Sequence, residues 1–161
     1  MSGSYEVERI PFFLHWQETS AFKETYAGPM DTVVVEGQHL RPKGGDAKTI
    51  LIFMHPTGTM NLLPMPNALA AQGLACLCCT SRYPHNDSAL SMEKVLLDLG
   101  QYIRYAKEKL GYEKVILAGW SGGGSLSMFY QSQAENPTIT HTPAGDPVDI
   151  VGANLIPADG V

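Results

Sequence analysis

The chain has 161 residues, enough for one domain with a buried core and too few for two. With 44% hydrophobic and 17% charged residues, 16 Gly and 11 Pro, its composition excludes a disordered tail and a collagen-like fibre. A net charge of -5, with no cluster of Lys and Arg, gives no reason to expect a nucleic-acid partner.

The start of the chain, Met1-Ser-Gly-Ser-Tyr-Glu-Val-Glu-Arg9, lacks the charged-then-apolar pattern of a secretory signal. No apolar run approaches the roughly 20 residues that span a bilayer, so the expectation is a cytoplasmic protein with no membrane partner. Cys76, Cys78 and Cys79 share one apolar run, too close together to staple distant parts of a fold. They are expected to be reduced and buried. A metal site would need further ligands at suitable spacing, and only His85 lies near, so no metal or other cofactor is expected.

In chain order, the β-branched stretch 31–40 predicts a strand, and Arg41-Pro-Lys-Gly-Gly-Asp46 a loop after it. The apolar run 48–54 (Lys-Thr-Ile-Leu-Ile-Phe-Met) predicts a strand buried on both faces, the kind found in parallel sheets covered by helices. A short helix over 66–72 begins near a proline and stops before Gly73, and 74–80 returns as another buried strand. The longest helical period covers 88–110, where Met92, Val95, Leu96, Leu99, Ile103, Ala106 and Leu110 recur at three- and four-residue steps. A third buried strand over 114–118 runs into Gly119-Trp-Ser-Gly-Gly-Gly-Ser125 and a helix to about residue 133. This alternation predicts an α/β fold with a doubly wound, mostly parallel sheet. Beyond Asn136 the prolines and glycines predict mostly loop, with 148–151 a short strand candidate.

Gly119-Trp120-Ser121-Gly122-Gly123 matches G-x-S-x-G directly after a buried strand and at the opening of a helix. A turn that tight puts the serine in a strained backbone conformation, and glycines two before and two after it let strand and helix approach. Phosphate-binding turns are also Gly-rich, but neither G-x-G-x-x-G nor Gly-Lys-Ser/Thr follows the strand. Ser125 and Ser127, on the helix that follows, are expected to be packed or solvated hydroxyls.

This motif resembles the nucleophile elbow of the α/β-hydrolase superfamily, esterase- and lipase-like serine hydrolases, with Ser121 in the place of the nucleophile. The resemblance covers roughly residue 31 to the C-terminus. It implies the N-terminal half of an α/β-hydrolase fold, with a core over 31–136 and a Pro/Gly-rich loop over 137–161 leading to the next strand. His55-Pro56-Thr57-Gly58-Thr59, after the strand 48–54, is similar to the family's His-Gly oxyanion-hole loop. Gly122 then supplies one oxyanion donor. Pro56, which has no N–H, replaces the usual Gly, so the second donor falls to Thr57, with Gly58 as the fallback. In the family the histidine of this loop supports it, and the catalytic base comes from near the C-terminus.

The resemblance further implies a carboxylic ester, thioester or lactone as substrate, handled through an acyl-enzyme on Ser121. An acyltransferase and a non-catalytic hydrolase-like binding or structural subunit are the alternatives. The family order places acid and histidine after the serine on later strands, so the single domain over 1–161 is expected to be incomplete and completed by a C-terminal continuation or a second polypeptide. His141 with Asp146, Asp149 or Asp159 is the local substitute, set against a solvated loop histidine. Arg82, Asn86 and Asp87 follow a strand end and are candidates for lining the pocket, or, for Asp87 and Ser88, for capping a helix. Trp120 is either a packing residue or a substrate contact.

Overall fold

The computed structural model describes residues 4–21 and 32–161. Five strands form one mixed sheet in the order β1-β2-β4-β3-β5. β1 (Val7–Gln17) and β2 (Thr32–Pro42) make a long antiparallel pair, and β2 joins β4 (Ala75–Cys79) antiparallel. β3 (Thr49–Met54) lies between β4 and β5 (Lys114–Leu117), parallel to both. The predicted start of the second strand at Asp31 falls outside the described residues.

The pleat sorts the apolar runs onto two faces. Ile50, Ile52 and Met54 of β3 and Ala75, Leu77 and Cys79 of β4 meet the larger core, which holds Leu96, Leu99, Ile103, Leu126 and Tyr130. These last five belong to α2 (Met92–Arg104) and α3 (Gly122–Glu135). Phe53, Cys76 and Cys78 point the other way, into a smaller cluster with Leu40, Met60 and Ala70, the last on α1 (Pro64–Ala71). Helices therefore cover both faces, which is why the strands read as continuous apolar runs. All three cysteines are free and buried, and burial pushes the thiols up, Cys76 to about 12 and Cys78 to about 11.

Differences from the sequence reading have local causes. β1 was not anticipated, because Pro11 interrupts its alternation, and it is tolerated because β1 is the edge of the sheet. Phe12, Leu14 and Trp16 pack on the larger core while Phe13, His15 and Gln17 point outward. The long helix does not begin at Ser88. Asn86 caps a 3-10 turn over Asp87–Ala89 by accepting from Ala89 N–H at 3.3 Å, and Ser91 caps α2 by accepting from Lys94 N–H at 3.4 Å. After α2 the chain widens into a π segment, Tyr105–Lys109, closed by Leu110 N–H on Tyr105 O at 3.0 Å. There Tyr105 stacks on Phe12 with ring centroids 4.8 Å apart.

Residues 148–151 form no strand. Val148 and Ile150 are buried in the larger core and pin the irregular segment to it. Asp159–Gly160 then runs parallel to β5, with Leu117 N–H donating to Gly160 O at 2.9 Å and Asp159 N–H to Val115 O at 2.8 Å. One polar pair sits inside the β1–β2 side of the core: His39 Nε2 and Tyr112 Oη are 2.8 Å apart. No helix among the described residues is long and apolar enough to cross a membrane.

Candidate active site

Ser121 stands between β5 and α3 with φ 53° and ψ -124°, a backbone region that side chains other than hydrogen rarely occupy. Two close approaches hold it there. A Cβ on Gly119 would lie 2.5 Å from Gly124 Cα, and a Cβ on Gly123 would lie 2.2 Å from Met54 O. Only glycine lets the strand, the turn and the helix converge, and the turn lifts Ser121 to the surface at the N-cap of α3. Gly122, next in the chain, lies in the first helical turn, where N–H groups have no intrahelical acceptor and the helix dipole favours negative charge.

The end of β3 supplies the facing loop. His55 leaves the strand and its imidazole folds back over its own loop, where Nδ1 accepts from Gly58 N–H at 2.8 Å and from Thr57 N–H at 3.2 Å. The other ring nitrogen stands over the elbow, 3.0 Å from the place a Cβ on Gly122 would take. Thr57 O in turn accepts from His85 N–H at 2.8 Å, and Ser81 Oγ donates to Pro56 O. His85 holds φ 59° there, an unusual conformation for a residue other than glycine.

The support of this loop comes from below, through a charged cluster that sequence reasoning missed. Arg82 lies on the segment after β4 with its side chain 2% exposed, and pairs with Asp98 of α2 at 2.7 Å and with Glu18 at 2.5 Å. Lys94 of α2 also reaches Glu18. Burial alone would raise the Glu18 carboxyl, but Arg82 and Lys94 outweigh it and hold it below its usual value. Asp98 remains above its usual value, because burial exceeds the pull of Arg82. Arg82 N–H also donates to Asp98 at 2.9 Å, and Tyr102 Oη donates to Thr80 O at 2.9 Å, so the exit from β4 is tied to α2 on both sides. Arg82 does wall a cavity of about 310 Å³ with Phe13, Val34, Ser81 and Pro84, yet its guanidinium is committed to carboxylates. Glu18, Arg82, Lys94 and Asp98 are scattered along the chain, so no local spacing announced the cluster.

The remaining candidates separate clearly. Ser125 and Ser127 bond back to the helix, to Gly122 O at 3.0 Å and Gly123 O at 2.7 Å. Trp120 is 46% exposed beside Ser121, so it is not a core packing residue. His141 is exposed and pairs with Thr140 Oγ1 at 2.9 Å. Asp149 is taken by Thr19 Oγ1 and Gly152 N–H, and Asp159 by Lys107 and Val115 N–H. Among the described residues no histidine is hydrogen-bonded to a carboxylate, and no group of three His, Cys, Asp or Glu side chains is placed to hold a metal ion.

No protein-family model matches the chain, and no curated protein matches it in sequence. Solved structures do match in shape. The chain superposes on a brefeldin A esterase, a bacterial homologue of human hormone sensitive lipase, with a TM-score of 0.58 and 17% identity over 83% of this chain and 37% of that one. For a bacterial heroin esterase the values are 0.51, 18%, 86% and 42%, and for homoserine O-acetyltransferase from Staphylococcus aureus 0.53, 17%, 78% and 43%. The chain thus spans about two fifths of the length of the structures it matches. In shape the chain has the fold of the N-terminal half of an α/β-hydrolase.

Proposed function

We propose that Ser121 is the nucleophile of a serine hydrolase acting on carboxylic esters, thioesters or lactones. The strained backbone of Ser121 at the start of α3 carries this reading, because such strain is kept where it presents a reacting group. Ser121 Oγ attacks the carbonyl carbon, its proton passing to a histidine base, and the carbonyl oxygen becomes an oxyanion facing the Gly122 N–H. The resemblance implies Thr57 as the second donor, with Gly58 as the fallback, and the Thr57 N–H would have to leave its 3.2 Å bond to His55 Nδ1. Collapse of the intermediate expels the alcohol or thiol, and water then releases the acyl group as acid. In this reading the histidine and its acid partner belong to a C-terminal continuation or a complementing chain.

The same acyl-enzyme handed to an alcohol or amine would make the protein an acyltransferase, and competition between water and added acceptors separates the two. Labelling the natural full-length polypeptide with a fluorophosphonate, followed by peptide mass mapping, tests the nucleophile. The expected adduct sits on Ser121 and disappears in S121A. A protein that stays unlabelled would instead have a binding or structural role.

A further inference from the structure

We propose that the Nε2–H of His55, rather than a backbone N–H of the 56–58 loop, is the second donor to the oxyanion. This rests on the reading of Ser121 as nucleophile and assigns what holds the developing charge. His55 Nδ1 accepts two backbone N–H groups, from Thr57 and Gly58. A ring nitrogen that accepts is unprotonated, so the proton of the neutral imidazole resides on Nε2. Pro56 has no N–H to offer. The Thr57–Gly58 peptide is fixed at both ends, its carbonyl by His85 N–H at 2.8 Å and its N–H by His55 Nδ1 at 2.8 Å. Turning Gly58 N–H toward a substrate would break both bonds, and turning Thr57 N–H would give up the second of the two contacts that orient the ring.

Nε2 needs no such rearrangement. It already stands beside Gly122, 3.0 Å from the position of a Cβ there, and Gly122 provides the other donor. In the proposed scheme an oxygen accepting from Gly122 N–H also accepts from Nε2–H, a donor whose direction is set by the bonds at the opposite ring nitrogen. The proton stays on Nε2 throughout: the oxyanion accepts a hydrogen bond, and only the serine proton moves, to the triad base. His55 is a catalytic residue in this scheme without acting as a base.

Two substitutions divide the ring into its halves. H55N places an amide oxygen near Nδ1, able to accept from the loop, but has nothing at Nε2. H55Q reaches the Nε2 position with an amide N–H and leaves Nδ1 empty. With p-nitrophenyl acetate and the natural full-length protein, H55N is expected to lose about 100-fold in kcat with KM little changed, and H55Q to retain at least about tenfold more kcat than H55N. H55N at the wild-type kcat, or H55Q below H55N, would overturn the proposal and leave His55 a support for its loop. The ring 15N shifts of His55 in the wild-type protein decide the matter if a variant does not fold: a proton on Nε2 is expected, and a proton on Nδ1 overturns it. A wild type with no ester turnover and no fluorophosphonate on Ser121 would sink the nucleophile reading and this inference together, whereas a labelled, active enzyme with fast H55N sinks this inference alone.

Discussion

Gly123 passes so near the end of β3 that a methyl group on it would stand 2.2 Å from the carbonyl oxygen of Met54. The contact is backbone against side-chain volume, so no rotamer change relieves it. G123A is expected to cost at least about 3 kcal/mol or to prevent folding, since overpacking against backbone cannot be absorbed locally. Gly124, one residue on, has nothing within 4 Å of its Cβ position, and G124A should raise stability by about 0.5–1 kcal/mol through helix propensity. Urea midpoints of the two variants check the contrast; equal effects would mean that the elbow is looser than described.

The φ of 53° at Ser121 makes a second substitution informative. Alanine removes the hydroxyl and keeps the strain, while glycine removes both. S121G should therefore unfold about 1 kcal/mol later than S121A, although neither takes up a fluorophosphonate. A thermal melt of the two side by side gives the answer.

Burial holds the His39 imidazole to a pKa of about 4, with nearby Arg41 pressing the same way and Glu8 opposing. An unfolded histidine titrates near about 6.5. Between these values the unfolded chain binds more protons, so the contribution of His39 to stability is complete above about pH 6.5 and is lost as pH falls toward 4. Denaturant midpoints measured across that window should decline toward acid, and H39F should flatten the decline. Tyr112, 2.8 Å from the ring, stays neutral throughout the window.

Arg82 ties Glu18 and Asp98 together in the interior, and removing it leaves two carboxylates with only Lys94 nearby. R82M is expected to lose about 3–5 kcal/mol, the usual result of leaving a buried charge unpaired. The double change R82M/D98L, which removes the charge opposite as well, should recover part of that loss. A double variant no more stable than R82M would mean that packing of the long side chain, not charge, is what matters.

The legible parts of this chain were those where one residue type answers one physical demand. Continuous apolar runs over 48–54, 74–80 and 114–118 foretold strands covered on both faces, and the spacing of Gly119, Ser121 and Gly123 foretold the strained turn. The edge strand β1 was hidden because Pro11 is penalised in a strand unless the strand has an open side, and that is known only once the sheet is assembled. Trp120, open in the sequence between packing and substrate contact, is half exposed beside Ser121. The resemblance implied that the His55 ring supports its loop, but not through which bonds. Which nitrogen carries the proton follows from how Thr57 and Gly58 turn back upon it, a matter of loop geometry that no spacing encodes.

The charged cluster also joins distant parts of the chain. Glu18 meets Arg82 across 64 residues of chain and Lys94 across 76, so these contacts close long loops whose entropy cost they must offset. Until the first strand docks, Arg82 and Lys94 lack a carboxylate that they share, and the segment carrying Ser81 and His85 lacks its foundation. The segment that follows the N-terminal strand, remote in sequence from Ser121, thus braces from beneath the loop that carries Ser81 and His85.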